Sequence, residues 1–155
     1  TRMIPVNGKF TARQKEIYNA VLDMKNFATS LLVPGNNWYD YHKECGEFYT
    51  SKFLELGLLD KADVQNQDKN WPAYKKYMMH GTSHHLGLDT HDYGILKDKF
   101  VENMVFTVEP GIYLPAEGFG VRIEDDLVIQ NSGPAFNLMK NIPIEVEEIE
   151  ELMNS

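Results

Sequence analysis

The order of hydropathy patterns along the chain predicts an α+β fold. Two long stretches with helical periodicity fill the first third, and short β-rich stretches punctuated by Gly and Pro occupy the part beyond residue 100. At 155 residues, with 43% hydrophobic and 25% charged residues, the chain has the length and composition of one globular domain able to bury a core without disulfides.

Taken in order, Thr1 to Val6 reads as β-like, and a start without Met suggests a chain that enters partway through a larger structure. From Thr11 the period changes: Ile17, Val21, Met24, Phe27, Ala28, Leu31 and Leu32 recur by threes and fours on one helical face. Thr11 followed by Gln14 fits a capping box, and Pro34-Gly35 stops the helix. Asn36 or Asn37 then caps a second helix with Trp38, Tyr41, Cys45 and Phe48 on one face and Gly57 as a left-handed stop after Leu56. Residues 60–72 lose periodicity and read as a surface connection. A short strand is expected over Lys76 to Met79, another over Met104 to Val108 and a longer one over Val121 to Ile129. Glu145, Glu147, Glu148, Glu150 and Glu151, with Ile144, Ile149 and Leu152, predict a C-terminal helix with a solvated acidic face.

Charge narrows the function classes. Residues 1–100 carry 13 Lys/Arg and 12 Asp/Glu, whereas residues 101–155 carry 2 and 11. An acidic final third lacks the clustered cations that a nucleic-acid backbone requires. No apolar run reaches the roughly 18–20 residues of a membrane helix, and the N-terminus has no basic-then-apolar leader. The single Cys45 makes no internal disulfide, which suits a reducing, cytoplasmic location.

Four of the five histidines, His80, His84, His85 and His91, fall within HGTSHHLGLDTH. Several imidazoles converging on one Gly-rich loop suggest metal binding, although Gly81 argues against a helical HxxxH site and favours a strand end running into a loop. In MVFTVEPG, strand alternation puts Val105, Thr107 and Glu109 on one face, and the following Pro110 biases Glu109 to extended geometry. In GVRIEDDLVIQ the same rule aligns Arg122, Glu124 and Asp126 opposite Val121, Ile123, Leu127 and Ile129. A charged row within an apolar strand needs partners, and a cation would satisfy its surplus negative charge. Imidazole plus two carboxylates suits manganese, cobalt, zinc or iron(II).

MHGTSHHLGLDTHD, TVEPGIY and GVRIEDD, in that order and spacing, resemble the second half of the pita-bread metallopeptidase catalytic domain, and most of all the Xaa-Pro aminopeptidase (aminopeptidase P) family. TRMIPVNGKFTARQKEIY also resembles the segment after that family's second aspartate ligand. The resemblance covers nearly the whole chain. It implies two long helices packed on a curved, mostly antiparallel sheet, with residues 1–155 forming the C-terminal portion of the catalytic domain, the second half plus part of the first. It further implies that His84 is the histidine ligand, Glu109 the next carboxylate ligand and Glu124 the metal-bridging glutamate. His80 and His91 match substrate-side histidines, and Arg122 matches an arginine that orients the carboxylates. Glu109, alone or with His91, would manage protons. His85 stands where the family often has an aromatic residue and carries no assigned role.

The family's two aspartate ligands are absent: the second would lie two residues before Thr1, and Asp23, Asp40, Asp60 and Asp63 belong to helices or their connection. The leading expectation is therefore part of a cytoplasmic enzyme that releases an N-terminal residue preceding proline by a dinuclear, metal-activated hydroxide, with this piece alone inactive. Manganese is the first choice of metal. The resemblance implies a peptide substrate with an Xaa-Pro N-terminus, no nucleic-acid or membrane partner, and admits a homo-oligomeric parent. The alternatives are a prolidase-like dipeptidase of the same fold, a non-catalytic pita-bread binding module, and a mononuclear oxygenase with two histidines and one carboxylate, which would leave the TRMIPVNGKF and VEPG matches unexplained.

Overall fold

A computed structural model describes all of residues 1–155. Helix α1 (Ala12–Ser30) starts at Thr11, whose hydroxyl accepts from the Gln14 amide while the Gln14 side chain accepts from the Thr11 amide. Its predicted face is the buried one: Ile17, Val21, Met24, Ala28 and Leu32 are fully enclosed. Helix α2 (Trp38–Glu55) is capped by Asn37, which accepts from the Tyr39 and Asp40 amides, and Gly57 beyond it takes φ +66°, a conformation that favours glycine. The deepest stripe of α2 runs Tyr41, Cys45, Tyr49, Phe53. Phe48 lies at the flank of that stripe, half-buried, and stacks on Phe27 of α1 at 4.2 Å.

Three expectations, one at the start of the chain and two in its polar middle, are corrected. Thr1 to Val6 forms no regular strand, although Thr1 exchanges backbone hydrogen bonds with Glu124. The 60–72 connection contains a one-turn helix, α3 (Lys61–Gln65), because Asp60 and Asp63 make a capping box of their own. Lys76 to Met79 is not a strand: a 3-10 turn spans Ala73–Lys76, started by Pro72 with its fixed φ, and Tyr77 to Met79 continue as loop.

Strand β1 (Val105–Val108) is followed by a hairpin, β2 (Gly111–Leu114) and β3 (Phe119–Arg122), and then by β4 (Asp125–Val128) and the short β5 (Phe136–Asn137). The expected single strand over Val121 to Ile129 is thus two strands in different sheets: β3 pairs with β2, and β4 sits between β1 and β5, all antiparallel. The break falls at Ile123-Glu124, where the Glu124 carbonyl accepts from Arg2 and the Thr1 amino group rather than from a neighbouring strand. Alternation survives the break. Val121, Ile123, Asp125, Leu127 and Ile129 are buried, while Arg122, Glu124, Asp126 and Val128 are partly open.

Residues 82–86 lie along the other edge of β1. The Glu109 amide donates to the Thr82 carbonyl at 2.8 Å, the Thr107 amide to His84 at 3.1 Å and the Leu86 amide to Val105 at 3.1 Å. Helices α1 and α2 pack against this sheet, and α4 (Val146–Met153) buries Val146 and Ile149 and exposes Glu147, Glu148 and Glu151; Glu150, expected on the solvated face, is half-buried, accepting from the Phe10 amide and pairing with Lys15. No helix is long and apolar enough to cross a membrane.

Candidate metal centre

The antiparallel register brings three distant segments to one point. Val108 pairs with Asp125, so Glu109 and Glu124 stand at the ends of adjacent strands, and His84 is tied to Thr107 on the other edge of β1. His84, Glu109 and Glu124 each offer a ligand atom, all within 4.8 Å of one another, and all three are half-buried. Because side chains alternate across a strand, Thr107 and Glu109 share a face with Glu124 and Asp126 across the pair.

The His84 ring is fixed by its other nitrogen. Nδ1 lies 2.9 Å from the His85 carbonyl, which can only accept, so Nδ1 carries the proton and Nε2 is turned to Glu109 Oε1 at 3.2 Å. A backbone carbonyl behind the ring is the usual support of a metal-ligating histidine. Thr107, almost fully buried, links the two ligands: its hydroxyl accepts from the His84 amide at 3.1 Å and donates to Glu109 Oε1 at 3.4 Å.

The charge is unbalanced. Glu109 and Glu124 face only Arg122, whose Nη1 is 3.9 Å from Glu109 Oε2 and which is itself partly open to water, and the Thr1 amino group, 3.6 Å from Glu124. The Thr1 hydroxyl also donates to the Glu124 carboxylate. Neighbouring Asp126 is pushed above the usual carboxylate range by burial and then by the charges of Glu124 and Asp125. Two carboxylates and a free imidazole nitrogen gathered within reach of one ion, with so little cationic counterweight, fit a divalent metal.

A polar cleft of about 380 Å³ opens beside these ligands, lined by His80, Ser83, His84, His91, Glu109 and Arg122. His80 is held by Tyr113, whose phenol oxygen is 2.7 Å from Nε2. His91 rests edge-on against His84 with ring centroids 4.4 Å apart, carried there by a loop that Asp92 organises: its carboxylate accepts from the Leu88 and Tyr93 amides at 3.1 and 2.9 Å, and its own amide donates to His85.

His85 points the other way. Its ring packs against Phe106 and accepts from the Trp38 indole at 3.3 Å, and burial pushes it below the usual imidazole value. A Cβ at Gly94 would run into that ring.

The structure therefore gathers His80, His84, His91, Glu109, Glu124 and Arg122 in one region. Sequence reasoning overlooked Thr107 and Tyr113. Thr107 shares the strand face already assigned to Glu109, and Tyr113 is the half-open position of a strand otherwise buried, so alternation carried a signal for both.

Comparison with known proteins gives the family and the fold. The model of metallopeptidase family M24 matches residues 1–131. The Xaa-Pro aminopeptidase of Haemophilus influenzae is 43% identical across 99% of this chain, which spans 38% of that relative. Among solved structures, zinc-substituted Escherichia coli aminopeptidase P in complex with product superposes with a TM-score of 0.84 at 37% identity, over 99% of this chain and 37% of that one. The same enzyme with the inhibitor Pro-Leu gives a TM-score of 0.85 at 37% identity and the same coverage. The chain has the fold of the corresponding part of aminopeptidase P, the pita-bread fold, and belongs to metallopeptidase family M24.

Proposed function

We propose that residues 1–155 are the C-terminal portion of a cytoplasmic Xaa-Pro aminopeptidase and supply three of its metal ligands, His84, Glu109 and Glu124. The observation that carries this reading is the meeting of those three side chains within 4.8 Å in a chain that aligns with aminopeptidase P over nearly its whole length. Divalent metals held there would polarise the scissile carbonyl and make water nucleophilic at neutral pH.

The chain's own residues have distinct tasks. Nε2 of His84 and the two carboxylates bind, with Thr107 linking His84 to Glu109. His80 and His91, which line the cleft with His84, hold the peptide and pass a proton to the departing amide nitrogen, a role Glu109 shares. Tyr113 keeps His80 in place, and Arg122 steadies Glu109. Manganese is the proposed metal; the zinc-substituted relative supports a site open to more than one divalent ion.

The two missing aspartates belong upstream. Proline specificity is supported by the Pro-Leu inhibitor of the Escherichia coli relative. Retention of all three ligands favours a catalyst over a binding module of the same fold.

The test is an enzyme restored upstream to include both aspartates, assayed with manganese on Arg-Pro-Pro and Arg-Ala-Ala. It should release arginine only from the first, and Glu124→Gln should cost orders of magnitude in turnover whereas His85→Ala costs little. Equal cleavage of both peptides, a demand for dipeptides alone, or near-normal turnover of Glu124→Gln would refute the assignment.

A further inference from the structure

We infer that Tyr41 and Tyr49 are positioning residues for the metal ligands: their hydroxyls, reaching from α2, clamp Ser83 and Thr82 and so fix the segment that carries His84. The inference rests on the metal-centre reading above. The Tyr41 phenol lies 2.6 Å from the Ser83 hydroxyl, and the Tyr49 phenol donates to Thr82 Oγ1 at 2.9 Å. All four side chains are buried. These are the two residues immediately before His84.

Core packing explains the rings but not the hydroxyls. Along the stripe Tyr41, Cys45, Tyr49, Phe53, the last position fills the same kind of space without a polar atom. A buried hydroxyl without a partner is costly, so tyrosine in place of phenylalanine at two positions facing Ser83 and Thr82 marks a paired device. Burial holds both phenols well above their ordinary value, so they remain neutral O–H groups.

The path from clamp to ligands is short. Thr82 accepts from the Glu109 amide at 2.8 Å, and His84 holds Thr107 through both its carbonyl and its amide. Fixing Thr82 and Ser83 therefore sets His84 and Glu109 together relative to β1. A segment reading Gly81-Thr82-Ser83 has no apolar side chain of its own to seat it, and the two hydroxyl pairs provide that seat.

The test compares Tyr41→Phe and Tyr49→Phe with Tyr18→Phe. Tyr18 is an equally buried phenol whose hydroxyl donates to the Ile144 carbonyl, away from the ligands. Amide hydrogen exchange without metal should speed up about five- to tenfold at His84, Thr107 and Glu109 in the two clamp variants relative to Tyr18→Phe. Cobalt(II) alone should bind the clamp variants about tenfold more weakly than the unchanged chain and with an altered visible spectrum. Tyr18→Phe should change neither the affinity nor the spectrum. Exchange at those three amides equal to that of Tyr18→Phe would overturn the inference, as would an unaltered cobalt affinity and spectrum. If the unchanged chain takes up no cobalt, the metal-centre reading fails, and the exchange comparison still decides the clamp.

Discussion

Glu124 and Asp125 are neighbours on the chain with opposite fates. Asp125 is 1% exposed, yet its charge is matched inside the protein: Lys25 Nζ is 2.7 Å from one oxygen, Arg2 Nη2 is 2.8 Å from the other, and Asn137 donates at 2.7 Å. Burial opposes its ionised form, but Lys25, and then Arg2 and Asn137, hold it below the usual carboxylate range. Glu124 points to the other face, beside a second carboxylate, with little protein cation to meet it. One anion is thus a structural member of the fold, whereas the other has little counter-charge within the chain, as the proposed metal site requires.

The largest expected break in that contrast comes on the buried side. Lys25→Met leaves Asp125 enclosed with Arg2 as its single cation, and urea unfolding should show a loss of about 3–5 kcal/mol. Replacing both partners, Lys25→Met with Asp125→Leu, should recover most of that loss, because the uncompensated charge is gone.

On the open side the effect should fall on binding. Glu124→Gln removes one of two crowded carboxylates, so apparent stability without metal should move by no more than about 0.5 kcal/mol. With manganese at about ten times its dissociation constant, the unchanged chain should gain roughly 1.4 kcal/mol, an increment abolished by a chelator and absent from Glu124→Gln. Melting curves with and without manganese check both statements.

The smallest effect concerns Cys45, on the enclosed face of α2 between the two clamp tyrosines. Burial pushes its thiol up to about 12, so at pH 8 it stays protonated and slow to react. Raising the pH toward 12, or unfolding the chain, should expose the thiolate. A thiol reagent that labels the native chain rapidly at pH 8 would contradict this placement.

The sequence made some of these features legible and hid others for physical reasons. Helices α1 and α2 were readable, α1 down to its Thr11 cap and α2 down to a choice between Asn36 and Asn37, because periodicity and capping act within a few residues of the chain. The faces of β1 and β4 were readable because alternation is also local. Pairing was not: the contact of Glu109 with Glu124 and of His84 with Thr107 depends on a register set between segments 15 to 25 residues apart. Residues alone left the choice open among four clustered histidines, and the family resemblance singled out His84. Lys25 follows Met24 on an otherwise apolar arc and gives no sign of its burial, since only Asp125, a hundred positions away, makes that burial tolerable.

Calorimetric titration of the chain with manganese tests most directly whether His84, Glu109 and Glu124 form a metal site. The expected result is weak binding of one ion per chain, lost in Glu124→Gln and in His84→Ala but kept in His85→Ala. Tight uptake of two ions, or binding that Glu124→Gln and His84→Ala leave intact, would contradict it.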